Sequence, residues 1–216
     1  MGTANEKGYF FSFCGLDGAG KTTHANLLKR YLEEKLDKKV TIIPGYKPPI
    51  NVKNLQDVAK QLNVHYQKLF TSGNVTMSLL LDLWMHTKQE VLPRLEKGEI
   101  VISERYWESS ILYAPILGVD KDFIEKIVSQ FITPDLFIYL NISPEKSYKR
   151  VVSRSIKDQV EIMPKEQLEV MEEVYSKYND FAREYNAAII DIDTDDANLI
   201  FEKIRKSVDL LVSKGV

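Results

Sequence analysis

The chain has 216 residues, 44% apolar and 28% charged, enough for one α/β domain with a sizeable core and too few for two large ones. A net charge of −2 and an isoelectric point near 6.0 leave no global positive field for nucleic acid or an anionic membrane. The single cysteine, Cys14, excludes an internal disulfide, and the chain shows no signal peptide or long apolar span, so a cytoplasmic protein is expected.

The opening MGTANEK is polar and reads as a frayed end. GYFFSFC, residues 8–14, is an apolar and aromatic run suited to a buried strand. It leads into Gly15-x-x-x-x-Gly20-Lys21-Thr22, the P-loop pattern. Small residues there, Gly15, Gly18, Ala19 and Gly20, let main-chain N–H groups approach phosphate oxygens. Lys21 supplies a point charge to the outer phosphates, and the Thr22 hydroxyl suits Mg²⁺. Thr23 to Leu36 has helical spacing, so the N-terminus of that helix adds partial positive charge to the phosphate site.

KKVTIIP forms a short β-branched strand ended by Pro44, and GYKPPINVKN reads as loop. A helix is expected over 54–70, a break at TSGN, and a long helix over 75–96 with Pro93 near its end. EIVIS, PDLFIYLNI and AAIIDID supply three more buried strands, with helices over 107–114, 120–131, 144–153, 165–185 and 196–213. Ser143 before Pro144 is a capping hydroxyl ahead of a proline at the first helical position. Continuous apolar strands alternating with helices predict an α/β fold of the P-loop NTPase kind, a three-layer sandwich with a five-stranded parallel sheet flanked by helices. No linker or repeat interrupts the chain, so one domain over 1–216 is expected.

A parallel sheet gathers its functional residues at the carboxyl ends of its strands. EIVISERYWESS places Glu104 and Arg105 there. A carboxylate at that point can order Mg²⁺ through water or accept a proton, and an arginine can grip an anionic oxygen with two parallel hydrogen bonds. In YKRVVSRSIKDQVE, Arg150 and Arg154 are four apart and share a helix face ahead of a polar segment. Arginines in such a place can close over a transferring phosphoryl group. A solvated helix face is the competing explanation.

Taken together these motifs resemble the thymidylate kinases over most of the chain: GLDGAGKTT, the helix leading through Pro93 and Gly98 into an acidic-Arg-Tyr triplet and a serine pair, PDLFIYLNISPE, and RVVSRSIKDQVE. The resemblance implies Mg²⁺-dependent transfer of the γ-phosphoryl group of ATP to a nucleoside monophosphate, most directly dTMP. It implies ATP contacts from the P-loop, from Arg150 and from the loop at Asp193. Arg105 would contact the acceptor phosphate, Asp17 would lie near the acceptor sugar and Glu104 near the metal or the acceptor phosphate, and Ser110 and Tyr113 would line the acceptor site. The lid would span about 153–162 and supply Arg154, since position 18 is glycine where some members carry arginine. A homodimer is also implied, with helix 75–96 as a candidate surface.

Departures from the family pattern fall on the acceptor side. Gly45-Tyr46-Lys47-Pro48 stands where an arginine usually follows the second strand, so Lys47 would supply charge without the bidentate fork. Counting back from Pro93, the positions of the base-stacking aromatic and the base-binding arginine fall on Leu79 and Leu83, and Leu83→Arg would then restore a donor to the base. Ala114 replaces an expected glutamine and Gln159 a second lid arginine. Two other functions therefore stay open: a kinase for a different pyrimidine nucleotide, a nucleoside or a specialised metabolite, and an ATP-binding switch without kinase activity.

Overall fold

The computed structural model describes residues 8–44, 50–157 and 166–213, apart from the side chains of Gln67, 154–157 and 166–167. Five strands form one parallel sheet in the order β2-β3-β1-β4-β5. They are β1 Tyr9–Cys14, β2 Val40–Pro44, β3 Ile100–Glu104, β4 Leu136–Asn141 and β5 Ala188–Asp191. Each falls on a run that the sequence marks as a strand. β1 and β3 are buried along almost their whole length, as strands covered on both faces must be.

The helices are α1 Lys21–Leu36, α2 Ile50–Gln61, α3 Tyr66–Leu69, α4 Ser72–His86, α5 Leu92–Glu96, α6 Glu108–Tyr113, α7 Lys121–Val128, α8 Pro144–Lys157, α9 Glu166–Glu184 and α10 Ala197–Val212. Four expectations need correcting. GYKPPINVKN is not loop throughout, because α2 begins within it at Ile50, where the Asp82 carboxylate accepts from the first N–H groups of the helix. The helix expected over 54–70 is two helices, with Asn63 at positive φ between them. TSGN does not break the chain but starts α4. Thr71 caps it, accepting from the Asn74 N–H while the Asn74 side chain accepts from the Thr71 N–H. Local capping chemistry outweighs the low helix propensity of glycine at Gly73.

The long helix expected over 75–96 is interrupted. A π-helical turn, Thr87–Val91, separates α4 from α5, of which Pro93 is the second residue. Proline cannot donate to the carbonyl four residues back, and a widened turn beside it accommodates the lost bond. Within this turn the Thr87 hydroxyl donates to the Leu83 carbonyl at 2.8 Å and lies 3.1 Å from the Tyr106 hydroxyl.

Strand order positions the site. β1 and β3 are neighbours in a register that sets Phe13 beside Glu104. The residues after Cys14 and those after Glu104 therefore emerge side by side at one edge of the sheet. The Arg105 N–H continues the ladder, donating to the Phe13 carbonyl at 2.8 Å.

Candidate active site

The loop after β1 has the geometry of an anion cradle. α1 begins at Lys21 with Gly20 as its cap and no side chain occupying its first N–H groups, so they face the loop as donors for an oxyanion. Gly18, at φ 83°, lies against α8, where an added Cβ would come 3.0 Å from the Ser147 carbonyl oxygen and 3.3 Å from Arg150. A side chain there would be strained at that φ and would need α8 to yield by a few tenths of an ångström. The Ser147 hydroxyl, fully buried, donates to the Asp17 carbonyl and ties α8 to this loop. Ala19 is buried and its N–H donates to Leu16, whereas Thr23 is exposed on the first turn of α1.

Lys21 folds back over the loop. Its Nζ donates to the carbonyls of Gly15 at 3.1 Å and Leu16 at 2.9 Å and lies 3.6 Å from Asp17 Oδ1. Burial and the neighbouring Arg105 charge push its pKa down to about 7 against the pull of Asp17. A polyphosphate would supply the missing counter-charge.

Thr22 and Glu104 meet as the strand register requires. The Thr22 hydroxyl donates to Glu104 Oε2 at 2.5 Å. Two hard oxygen donors at that spacing fit Mg²⁺, which takes few protein ligands and keeps water and phosphate for the rest. Among the described residues no group of three or more His, Cys, Asp or Glu could hold a metal alone.

Arg105 stands between this cradle and a cleft. Its φ is 72°, and the other non-glycine residues at positive φ among those described are Asp37, Asn63 and Asn186. Asp and Asn tolerate that region. For a residue like arginine it costs about 1–2 kcal/mol and marks a position held by its surroundings. The guanidinium donates to Asp17 Oδ1 at 2.8 Å and to the hydroxyls of Ser109 and Tyr178 at 3.2 Å each, and lies 5.7 Å from the Tyr113 ring centre. Burial by itself would lower its pKa. The adjacent Tyr178, Tyr113 and Asp17 hold its pKa above the ordinary arginine value. In turn, the charges of Arg105 and Lys21 outweigh the effect of burial on Asp17 and lower its pKa to about 2.

The cleft encloses about 660 Å³, part of it open to solvent, lined by Asp17, Arg105, Ser109, Ser110, Tyr113 and an apolar wall of Leu79, Ala114 and Leu117, with Thr76 beside them. It has the size and mixed polarity of a small-molecule site. Of the expected acceptor residues, Asp17, Leu79, Arg105, Ser110 and Tyr113 come together here. Leu83 does not: it is 2% exposed, in the hydrophobic core, and absent from the cleft lining. α4 turns its buried stripe of Leu80 and Leu83 towards the core and shows Thr76 and Leu79 to the cleft. Lys47 and Gln159 lie outside the described residues, and so does the side chain of Arg154, although its backbone continues α8 one turn past Arg150. The lid expected over 153–162 also falls largely outside them.

On the other side of the P-loop, Arg150 Nη1 donates to the Gly18 carbonyl at 3.1 Å and Nη2 to Asp195 Oδ1 at 2.5 Å. Lys146 joins Asp195 at 3.2 Å. Asp193 instead pairs with Lys203 at 2.9 Å. The loop after β5 therefore reaches α8 through Asp195.

A family profile described as "Thymidylate kinase" matches residues 13–204. The chain belongs to the thymidylate kinase family. A thymidylate kinase of Caldicellulosiruptor saccharolyticus is 31% identical over 96% of this chain and 99% of its own length. A probable thymidylate kinase of Saccharolobus solfataricus is 29% identical over 88% and 92%. A crystal structure of thymidylate kinase from Ehrlichia chaffeensis has the same fold, with a TM-score of 0.68 at 20% identity, covering 94% of this chain and 99% of that one.

For a thymidylate kinase family member the cleft is apolar on one side, since Leu79, Ala114 and Leu117 form a wall that donates no hydrogen bond. Several lining residues escape sequence reading. Ser109 and Leu117 lie four residues to either side of Tyr113, at helical spacing, and were open to detection. Tyr178 and Ser147 carry no local signal, because they reach the site from α9 and α8 through tertiary packing.

Proposed function

We propose that this protein transfers the γ-phosphoryl group of ATP to a nucleoside monophosphate, dTMP before others, with Mg²⁺. The observation that carries this is the position of Arg105: one guanidinium faces the wall of a nucleotide-sized cleft and lies one ion pair from the P-loop lysine. A donor phosphate on the loop and an acceptor phosphate at Arg105 would thus approach one another.

In this reading the N–H groups of residues 15–23 and Lys21 bind the ATP phosphates, and Arg150 and the loop at Asp193 flank its base. Thr22 and Glu104 would hold Mg²⁺, which would supply charge neutralisation for the phosphates. Arg105 grips and aligns the acceptor phosphate, assisted by Lys47, while Asp17, Ser110 and Tyr113 orient the acceptor sugar and base edge. Arg154 closes from the end of α8. No general base is needed, because the attacking oxygen is already anionic.

Leu79, Ala114 and Leu117 favour apolar contact over hydrogen bonding to the base, so discrimination among pyrimidines is the point to measure. Release of ADP should be followed with dTMP, dUMP, UMP, CMP, thymidine and cytidine as acceptors. Turnover highest with dTMP, abolished by EDTA and by Lys21→Ala, supports the proposal. One slow rate whatever the acceptor would favour an ATP-driven switch instead.

The reading extends to a homodimer in the cytoplasm. An apolar groove between α4 and α7 is lined by Met77, Leu81, Trp84, Phe123, Ile127 and Phe131, with Leu81 and Phe123 nearly half exposed. Covering it would remove this apolar patch from water. Leu81→Glu should convert a dimer to a monomer in sedimentation. No described helix is long and apolar enough to cross a membrane.

A further inference from the structure

Arg105 is held in a conformation that arginine does not choose, and the groups that hold it are buried. The Arg105 carbonyl accepts from the fully buried Ser103 hydroxyl at 2.5 Å. The next N–H in the chain, that of Tyr106, donates to both carboxylate oxygens of Glu108, at 2.8 and 3.1 Å. Glu108 Oε1 also accepts from the Ser109 hydroxyl at 3.2 Å, and that hydroxyl oxygen accepts in turn from Arg105 Nη1 at 3.2 Å. Glu108 is 0% exposed.

We propose that Glu108 is a positioning residue for acceptor binding: its buried carboxylate fixes Arg105 at both ends, the backbone through the Tyr106 N–H and the guanidinium through the Ser109 hydroxyl. This rests on the reading of Arg105 as the ligand of the acceptor phosphate.

The chemistry needs a carboxylate. Both oxygens of an ionised Glu accept, so Tyr106 and Ser109 both donate to it. With its proton committed to Glu108, the Ser109 hydroxyl presents only lone pairs to Arg105 and aims the guanidinium. An amide in the same place would set an NH₂ group against one of these donors, either crowding the Tyr106 N–H or turning the Ser109 proton towards the cation. Burying an acid is costly unless it is compensated. Here burial raises the Glu108 pKa, while the Tyr106 N–H and the nearby Arg105 charge oppose the rise. A residue that only started the short helix α6 would not need this depth, because an exposed acid serves a helix N-terminus equally well. When a phosphate draws Arg105 away from Asp17, the contacts beneath it through Ser109 and Tyr106 can persist, which is how supporting groups keep a binding side chain in register.

The test compares Glu108→Gln, Glu108→Asp, Ser109→Ala, the Glu108→Gln/Ser109→Ala pair and Arg105→Ala in steady-state kinetics, with the acceptor preferred in the panel above and with ATP varied in turn. Glu108→Gln should raise KM for the acceptor about tenfold and leave KM for ATP within about twofold. Glu108→Asp should recover part of the loss. The double variant should be no worse than the poorer single one, because both cut the same relay. Arg105→Ala serves as the reference: if it leaves acceptor KM unchanged, the reading of Arg105 itself fails. If Arg105→Ala is severe while Glu108→Gln changes neither KM, or changes both equally, the positioning role of Glu108 is overturned. Additive losses in the double variant would overturn it too. Should Glu108→Gln not fold, Ser109→Ala alone must still show the selective rise in acceptor KM, and its absence would refute the relay.

Discussion

Arg105 Nη2 lies 2.8 Å from Asp17 Oδ1, and Lys21 Nζ lies 3.6 Å from the same oxygen. One carboxylate therefore links the cation at the cleft to the cation of the P-loop. It balances both charges here; in the proposed function, phosphates on either side would take over that role. Arg105→Lys keeps the charge but loses the fork that reaches Asp17, Ser109 and Tyr178 together. It should cost about 1–3 kcal/mol in acceptor kcat/KM, read by initial rates at saturating ATP, with ATP binding little changed.

The same pair has an acid signature. The Asp17 pKa is lowered to about 2, so its contribution to stability is complete above the unfolded value near pH 4 and is lost as pH falls towards 2. Half of the Asp17 side chain is exposed, which keeps the effect small. Urea midpoints between pH 4.5 and 2.5 should fall more steeply for the native protein than for Asp17→Asn; parallel slopes would contradict this.

Lys21 predicts a proton linked to ATP binding. Its pKa is about 7 in the free protein, and a bound polyphosphate returns it towards the ordinary lysine value. The complex thus holds more protons than the free protein above pH 7, and affinity should fall as pH rises. Titration calorimetry with Mg-ATP between about pH 7.5 and 9.5, where ATP itself no longer titrates, should show proton uptake and a weakening with pH. Lys21→Met should bind weakly with no such slope.

Leu79 and Leu83 should respond oppositely to arginine. Leu79 borders the cleft and Leu83 lies in the core. Leu83→Arg should destabilise by on the order of 4 kcal/mol or more, because it buries an unpaired charge. Leu79→Arg should fold, with a melting temperature near that of the native protein, and alter the ranking of acceptor bases. A stable Leu83→Arg would mean that α4 is turned differently.

Asp82 anchors the start of α2 from a distance. Its carboxylate accepts from the N–H groups of Ile50, Asn51 and Val52 at 2.8 to 3.2 Å, and from the Asn51 side chain. This is a helix cap supplied by another helix, combined with charge at the positive end of the helix dipole. Asp82→Ala should cost about 1–2 kcal/mol in denaturant unfolding. Asn at this position should recover part of it, keeping the acceptor oxygen without the charge.

The sequence alone determined the five strands and the P-loop pattern, because both are written locally. Apolar runs, β-branched or aromatic, marked all five strands, and Gly15 to Thr22 carries its spacing within eight residues. The pairing of Thr22 with Glu104 needed the register of β1 against β3, which no local pattern specifies, since parallel neighbours are set by long-range packing. The face of α4 that meets the cleft was misjudged at Leu83, because a leucine reads the same whether it lines a pocket or fills a core. Only tertiary structure brought Tyr178 and Ser147 to the site and placed Glu108 beneath Arg105. Their signals are burial and hydrogen bonding, and those exist only once distant segments of the chain have met.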